Sequence, residues 1–114
     1  MTITVTKFDP AGNLGGKKGL HKSKGSKSSA TLYGTGLVDN LTVNVLHPPQ
    51  SQNPALKWTG TTANSSSDHT QCTVDLEQKL EPPSKRDDNT TISVTASSAT
   101  ETSAPLDTTV TTGA

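Results

Sequence analysis

The side chains best suited to binding chemistry cluster near the start of the chain, in the stretch GGKKGLHKSKGSKSSA (Gly15–Ala30). Ammonium groups without neighbouring carboxylates can form charge-assisted hydrogen bonds to an acidic protein surface or to phosphates. Nucleic-acid sites usually add arginine and aromatic side chains for specificity, and this stretch contains neither. The pattern therefore favours an acidic protein as partner and makes nucleic acid a weaker alternative. The candidate binding residues are Lys17, Lys18, His21, Lys22, Lys24 and Lys27.

Charge is distributed unevenly along a chain whose formal net charge is zero. Residues 1–30 carry six lysines and one aspartate, a balance of +5, whereas residues 31–114 carry a balance of −5. A zero total weakens the long-range repulsion between copies and permits close association. We therefore include a second copy of the chain among the expected partners.

The other titratable side chains form no recognisable catalytic or metal-binding pattern. The three histidines are dispersed, and the single cysteine, Cys72, alternates with Val74 and Leu76 as a buried strand residue would. The pair Asp87–Asp88 offers too few oxygens for Ca²⁺, which takes six to eight. The sequence contains no G-x-S-x-G elbow and no glycine-rich phosphate loop between a strand and a helix. We predict no catalytic residue, no cofactor and no metal ion, and a protein that is not an enzyme.

Two of the three aromatic residues, Tyr33 and Trp58, are candidates for a surface on which a carbohydrate could stack. Trp58 is in phase with Leu56 along a short strand pattern, which favours a place in the core. A carbohydrate- or cell-surface-binding module is therefore the alternative function, with these two side chains as its platform.

Short alternating stretches, rich in threonine, are the elements that must position these side chains. Threonine suits the pleated surface of a strand, and the hydrophobic fraction of 28% predicts a thin core. A helix over VDLEQKLE is the alternative at one place, but the Val74–Leu76 alternation favours a strand. Strands are predicted at Thr2–Phe8, Gly36–His47, Ala55–Thr62, Thr70–Leu80, Thr90–Ala96 and Pro105–Thr112. Such a series is typical of an antiparallel sandwich or a small barrel.

The lysine-rich stretch falls between these strands and shows no periodicity of its own. Turn residues at Asp9–Asn13 are predicted to end the first strand, and the glycines, serines and lysines that follow disfavour a stable local fold. A stretch of this length inside a small domain is usually functional or disordered. We predict a first strand plus an extended basic arm over residues 1–30 and a β-sandwich over 31–114, with a solvated flexible loop as the alternative to a binding arm.

Two stretches resemble immunoglobulin-like domains of bacteria and phages. GTGLVDNLTVNVLH (Gly34–His47) is similar to the early strands of those modules, and TTISVTASSATETSAPLDTTVTT (Thr90–Thr112) is similar to their last hairpin. The resemblance implies an all-β, immunoglobulin-like antiparallel sandwich. The chain departs from antibody domains, because it has one cysteine and carries Thr91 where many such modules have tyrosine.

The beginning of the chain, MTITVTKFDP, lacks a basic segment followed by an apolar one, which predicts that it is not a signal peptide. No apolar run is long enough to cross a membrane, so no membrane partner is expected. A small chain with these features resembles the decoration proteins of tailed bacteriophages. That resemblance implies synthesis in the host cytoplasm, a place on the virion surface, and the major capsid protein or another virion protein as partner.

Overall fold

A computed structural model describes residues 2–84 and 86–113 of the chain. The part that it describes is all-β and contains no helix, which confirms the predicted fold class. The strands are β1 (Thr4–Pro10), β2 (Gly12–Asn13), β3 (Lys18–His21), β4 (Lys27–Thr35), β5 (Thr42–His47), β6 (Leu56–Ala63), β7 (Gln71–Gln78), β8 (Asp88–Ser97) and β9 (Leu106–Gly113).

These strands join in one sheet, in the order β1-β4-β7-β6-β5-β8-β9-β3-β2. Each neighbouring pair is antiparallel except β3 and β9, which run parallel. The sheet is therefore mixed, whereas a fully antiparallel arrangement was expected. The strand pattern predicts either a sandwich or a small barrel, and this single, nearly closed sheet is closer to a barrel.

The N-terminal segment brings the two ends of this sheet together. It pairs with β4 through β1 and with β3 through β2, so one continuous stretch of chain touches both ends of the strand order. Between the two pairings, the Ala11 N–H donates to Ser29 O at 2.8 Å. Nearby, the His21 N–H donates to Ser28 Oγ at 2.8 Å. These bonds connect β3 and its hairpin to β4 and nearly complete a barrel.

The alternation of apolar and polar residues explains the core. On β5, Val43 and Val45 face inward, and on β8 the inward residues include Ile92 and Val94; all four are fully buried. Trp58 is the largest buried side chain and is 0% exposed. Burying a valine or isoleucine side chain contributes about 1.5–3 kcal/mol. The core is therefore mostly aliphatic, with Trp58 and Phe8 as its aromatic side chains.

Most predicted strands are present, including β7, where a helix was the alternative. The prediction that turn residues at Asp9–Asn13 end the first strand is wrong. β1 continues to Pro10, and Gly12 and Asn13 pair with β3. Proline is tolerated at this position because it stands at the end of a strand that has a neighbour on one side of the sheet order.

The prediction of an extended basic arm is also corrected, because the stretch after Asn13 contains β3 and the first part of β4. The boundary predicted between residues 30 and 31 falls inside β4. The stretch is structured because its two large apolar side chains are buried: Leu20 is 0% exposed in the core, and Leu14 is 8% exposed. Its glycines serve turns, since Gly15 and Gly16 have φ values of 64° and 95°, which other residues rarely adopt.

Candidate functional site: the basic end of the barrel

Strand direction divides the connections of the barrel between two ends. Because neighbouring strands from β4 to β9 are antiparallel, the connections 22–26, 48–55 and 79–87 share one end. The β2–β3 turn lies beside it, since Lys17 lines a recess with Asp87, Asp88, Asn89 and Thr111. We call this the basic end. The described cations in or next to it are Lys17, Lys18, Lys22, Lys24, Lys27, Lys57, Lys79 and Arg86.

Lys22 is a correction to the predicted binding set, because it is 3% exposed. Its Nζ donates to Arg86 O at 2.6 Å and to Asp88 Oδ2 at 2.9 Å. The Lys22 ammonium, first through its hydrogen bond and then through its charge, holds the pKa of Asp88 below its usual value. Lys22 therefore joins β3 to the start of β8, and its charge is used inside the molecule.

Two buried side chains fix the end of β3. The Trp58 Nε1–H donates to His21 O at 2.9 Å. The amide of Gln78, which is 0% exposed, donates from Nε2 to Lys22 O and to Leu80 O and accepts at Oε1 from the Leu80 N–H at 2.7 Å. The backbone that carries the lysines is therefore held from within the barrel.

Gln78 was not among the residues singled out from the sequence, although a signal for it exists. It continues the inward alternation of Cys72, Val74 and Leu76 along β7, so the pattern places an amide in the core. Buried polar side chains are nearly always hydrogen-bonded. An inward glutamine at the end of a strand therefore indicates that it holds a neighbouring connection.

The exposed members of the predicted set form two pairs, one at each end of β3. Lys17 and Lys18 lie at the β2–β3 turn, which is closed by a bond from the Leu14 N–H to Lys17 O at 2.7 Å. Lys24 and Lys27 lie in and after the β3–β4 connection. A strand of four residues spans about 10 Å, which separates the two pairs. His21 lies between them and is half-buried.

Carboxylates accompany some of these lysines. Lys17 shares a recess with Asp87 and Asp88, and Lys27 is opposite Glu77 in the β4–β7 ladder. Lys79 forms a salt bridge with Glu77 at 3.4 Å. The eight described cations nevertheless outnumber the four carboxylates at the basic end, which are Glu77, Glu81, Asp87 and Asp88, so the described part of this end is positive.

The opposite end of the barrel, which we call the acidic end, consists of the connections 36–41, 64–70 and 98–105. Its charged side chains are Asp39, Asp68 and Glu101, and these connections contain no lysine or arginine. The backbone and hydroxyl of Ser65 lower the pKa of Asp39. Hydrogen bonds from Ser66 and Thr70 lower the pKa of Asp68. Both carboxylates are therefore ionised well below neutral pH.

The two aromatic candidates are not brought together. Trp58 is in the core and cannot offer a stacking surface, as its phase with Leu56 indicates. Tyr33 is half-buried on the outside of β4, and the Lys7 ammonium lies 5.2 Å from the centre of its ring. A platform made of both side chains is therefore excluded by their positions.

The single thiol also lies in the core. Burial raises the pKa of Cys72 to about 11, and the charge of Asp39 adds to the rise. Across residues 2–84 and 86–113, no three His, Cys, Asp or Glu side chains are grouped as metal ligands would be. The same residues include no helix long and apolar enough to cross a membrane.

Comparisons with known proteins give no relative. No protein-family model matches the chain, and neither a curated protein nor a solved structure matches it.

Proposed function

We propose that this protein is a non-enzymatic structural protein that docks through its basic end on an acidic protein surface. The observation that carries the proposal is the position of the exposed lysines on ordered backbone. Trp58 and Gln78 hold the connection after β3, and the bond from the Leu14 N–H to Lys17 O closes the β2–β3 turn. Groups that are ordered before binding lose less conformational entropy when a partner is bound. A rigid basic end therefore suits a stable docking role better than a flexible arm would.

We further propose that the fold is immunoglobulin-like. Immunoglobulin domains have strands A, B, E and D in one sheet and C, F and G in the other. The neighbours β1-β4-β7-β6 match A-B-E-D, and β5-β8-β9 match C-F-G, with β8 and β9 as the last hairpin. This strand order supports the kinship, and the β5–β6 pairing joins the two halves into one sheet.

The partner that fits best is the major capsid protein, or another virion protein, on the outside of a phage capsid. A decoration protein needs many copies, each with a modest interface, whose binding stabilises the lattice that they occupy. A small domain with a thin core and a zero net charge suits such a role. The protein would be made in the host cytoplasm and end on the virion.

The test is co-sedimentation with capsids of the phage whose genome carries the gene. We expect the variant Lys17→Gln, Lys18→Gln, Lys24→Gln, Lys27→Gln to bind at least about tenfold more weakly, a change of 1.4 kcal/mol. Each of the four lysines is also replaced singly, and Lys7→Gln is the matched control for these single variants, because Lys7 lies on β1 away from the basic end. Binding that the four substitutions leave unchanged overturns the proposal.

Two other results would replace this function with another class. Retention on duplex DNA with a steep salt dependence, and no capsid binding, would make the protein a nucleic-acid binder. Glycan binding that Tyr33→Ala abolishes without unfolding would favour the carbohydrate-binding alternative, now with one aromatic instead of two.

A further inference from the structure

The two ends of the barrel carry complementary charge, and this complementarity is a property of the fold. In the sequence, the acidic residues Asp39, Asp68 and Glu101 are separated by dozens of other residues. The topology brings their three connections to one end and the exposed lysines to the other. The folded molecule therefore has a positive end, which carries the exposed lysines, and a negative end, which carries these three carboxylates.

We propose that the acidic end of one copy docks on the basic end of a second copy, so that molecules associate head to tail. The two surfaces are different, and such a contact is heterologous: each bound copy leaves one acidic and one basic end available to the next. Copies bound side by side on a larger assembly could therefore also contact one another.

The shape of the acidic end supports a lysine as the group that enters it. A recess of about 280 Å³ lies there, lined by Ile3, Val38 and Leu41 and bordered by Glu101. A lysine side chain combines an apolar stem with a charged head, and it can bury the stem while the head stays at the rim. The recess and its carboxylate match both parts.

The carboxylate of Glu101 is already oriented for this contact. Its Oε2 accepts the Ile3 N–H at 2.7 Å, which holds the side chain beside the recess. Asp39 accepts the Ser65 N–H at 3.0 Å, and Asp68 accepts from the hydroxyls of Ser66 and Thr70. Apart from His69, the same connections contain no basic side chain, so these fixed carboxylates give the end a negative charge.

The inference shares its lysines with the proposed function, but its partner and its second surface are different. The acidic-end variant Asp39→Asn, Asp68→Asn, Glu101→Gln keeps every lysine, and its amide oxygens can accept the same hydrogen bonds. The matched control is Asp9→Asn, Asp75→Asn, Asp107→Asn, which removes the same charge from strands. Capsid binding by the acidic-end variant tests the proposed function alone.

The first measurement is sedimentation equilibrium at about 0.01 M salt, where charges act over roughly 30 Å. We expect the natural chain and the strand control to exceed the monomer mass of 11.8 kDa. The acidic-end variant should stay monomeric, and about 1 M salt should dissociate the natural chain. A natural chain that stays monomeric at low salt, or an acidic-end variant that associates equally well, overturns the proposal.

A mixing experiment then tests the direction of the contact. The variant without the four exposed lysines keeps its acidic end, and the acidic-end variant keeps its basic end. Neither should associate alone, while the mixture should reach the mass of a dimer and no more, because only one complementary pair of ends remains. A mixture that stays monomeric, or a single variant that dimerises, contradicts head-to-tail association.

Discussion

The backbone that carries the lysines of the basic end and the carboxylate of Asp68 at the acidic end are held in different ways. At the basic end, Trp58 bonds to His21 and Gln78 bonds to Lys22, pairs separated by 37 and 56 residues in the sequence. At the acidic end, Asp68 bonds to Ser66 and Thr70, each two residues away. The basic end thus depends on tertiary structure, whereas Asp68 is held by its own connection.

This difference matters for what each end can tolerate. A buried polar group that loses its partner costs much more than an exposed one, because water cannot replace the lost hydrogen bond. Substitutions at the anchors of the basic end should therefore destabilise the whole barrel. Amide substitutions of the acidic-end carboxylates, which keep an accepting oxygen, should change charge with little effect on folding.

The largest expected effect is that of Gln78→Leu. The substitution keeps an apolar stem of similar size but leaves Lys22 O and the Leu80 backbone without their buried partner. We expect a loss of about 3 kcal/mol in the free energy of unfolding, measured by urea denaturation.

Gln71→Leu is the matched control for this variant, because Gln71 is exposed at the other end of the same strand. It should change the free energy of unfolding by less than about 0.5 kcal/mol. Equal losses for the two variants would show that the buried amide has no special role in the barrel.

A smaller effect is expected from Lys22→Met, which keeps the buried stem and removes the ammonium. In the folded protein the pKa of Asp88 lies below its usual value because of Lys22. The Lys22–Asp88 pair therefore contributes to stability at neutral pH, and this contribution is lost as the pH falls below about 4, where the Asp88 carboxylate takes up a proton.

Urea midpoints at pH 7 and pH 3 measure this effect. The natural chain should lose stability between the two values, and Lys22→Met should lose less of it. Asp39 and Asp68 also have lowered pKa values, so part of the acid dependence will remain. Lys24→Met is the control, since Lys24 is exposed in its connection. If the natural chain and Lys22→Met lose the same stability between pH 7 and pH 3, the Lys22–Asp88 pair is not the source of the acid dependence.

The contrast between the ends also explains what could be predicted from the sequence. Alternation along a strand is local, so β5, β7, β8 and the burial of Cys72 follow from pattern alone. The connection 64–70 is polar and rich in serine, and the bonds that hold Asp68 in it are equally local. The strand predicted at Gly36–His47 was too long, because residues 36–41 form a connection and β5 begins at Thr42.

The basic stretch was predicted less well because its structure depends on distant residues. The core position of Leu20 follows from the parallel pairing of β3 with β9, which brings Leu20 opposite Thr112. Lys22 belongs to a charged series in the sequence, and its burial depends on Asp88, 66 residues away. Glycine and lysine content indicates flexibility only when no such long-range partner exists.

The smallest expected effect is that of Asp68→Asn, which tests the independence of the two ends. Asparagine retains an oxygen that can accept the bonds from Ser66 and Thr70. We expect an unchanged urea midpoint at pH 7 and unchanged hydrogen exchange at Leu20 and His21. Gln78→Leu should accelerate exchange at those same amides, because β3 loses an anchor. Accelerated exchange at β3 in Asp68→Asn would mean that Asp68 helps to hold the lysines, and the independence of its connection from the basic end would then be wrong.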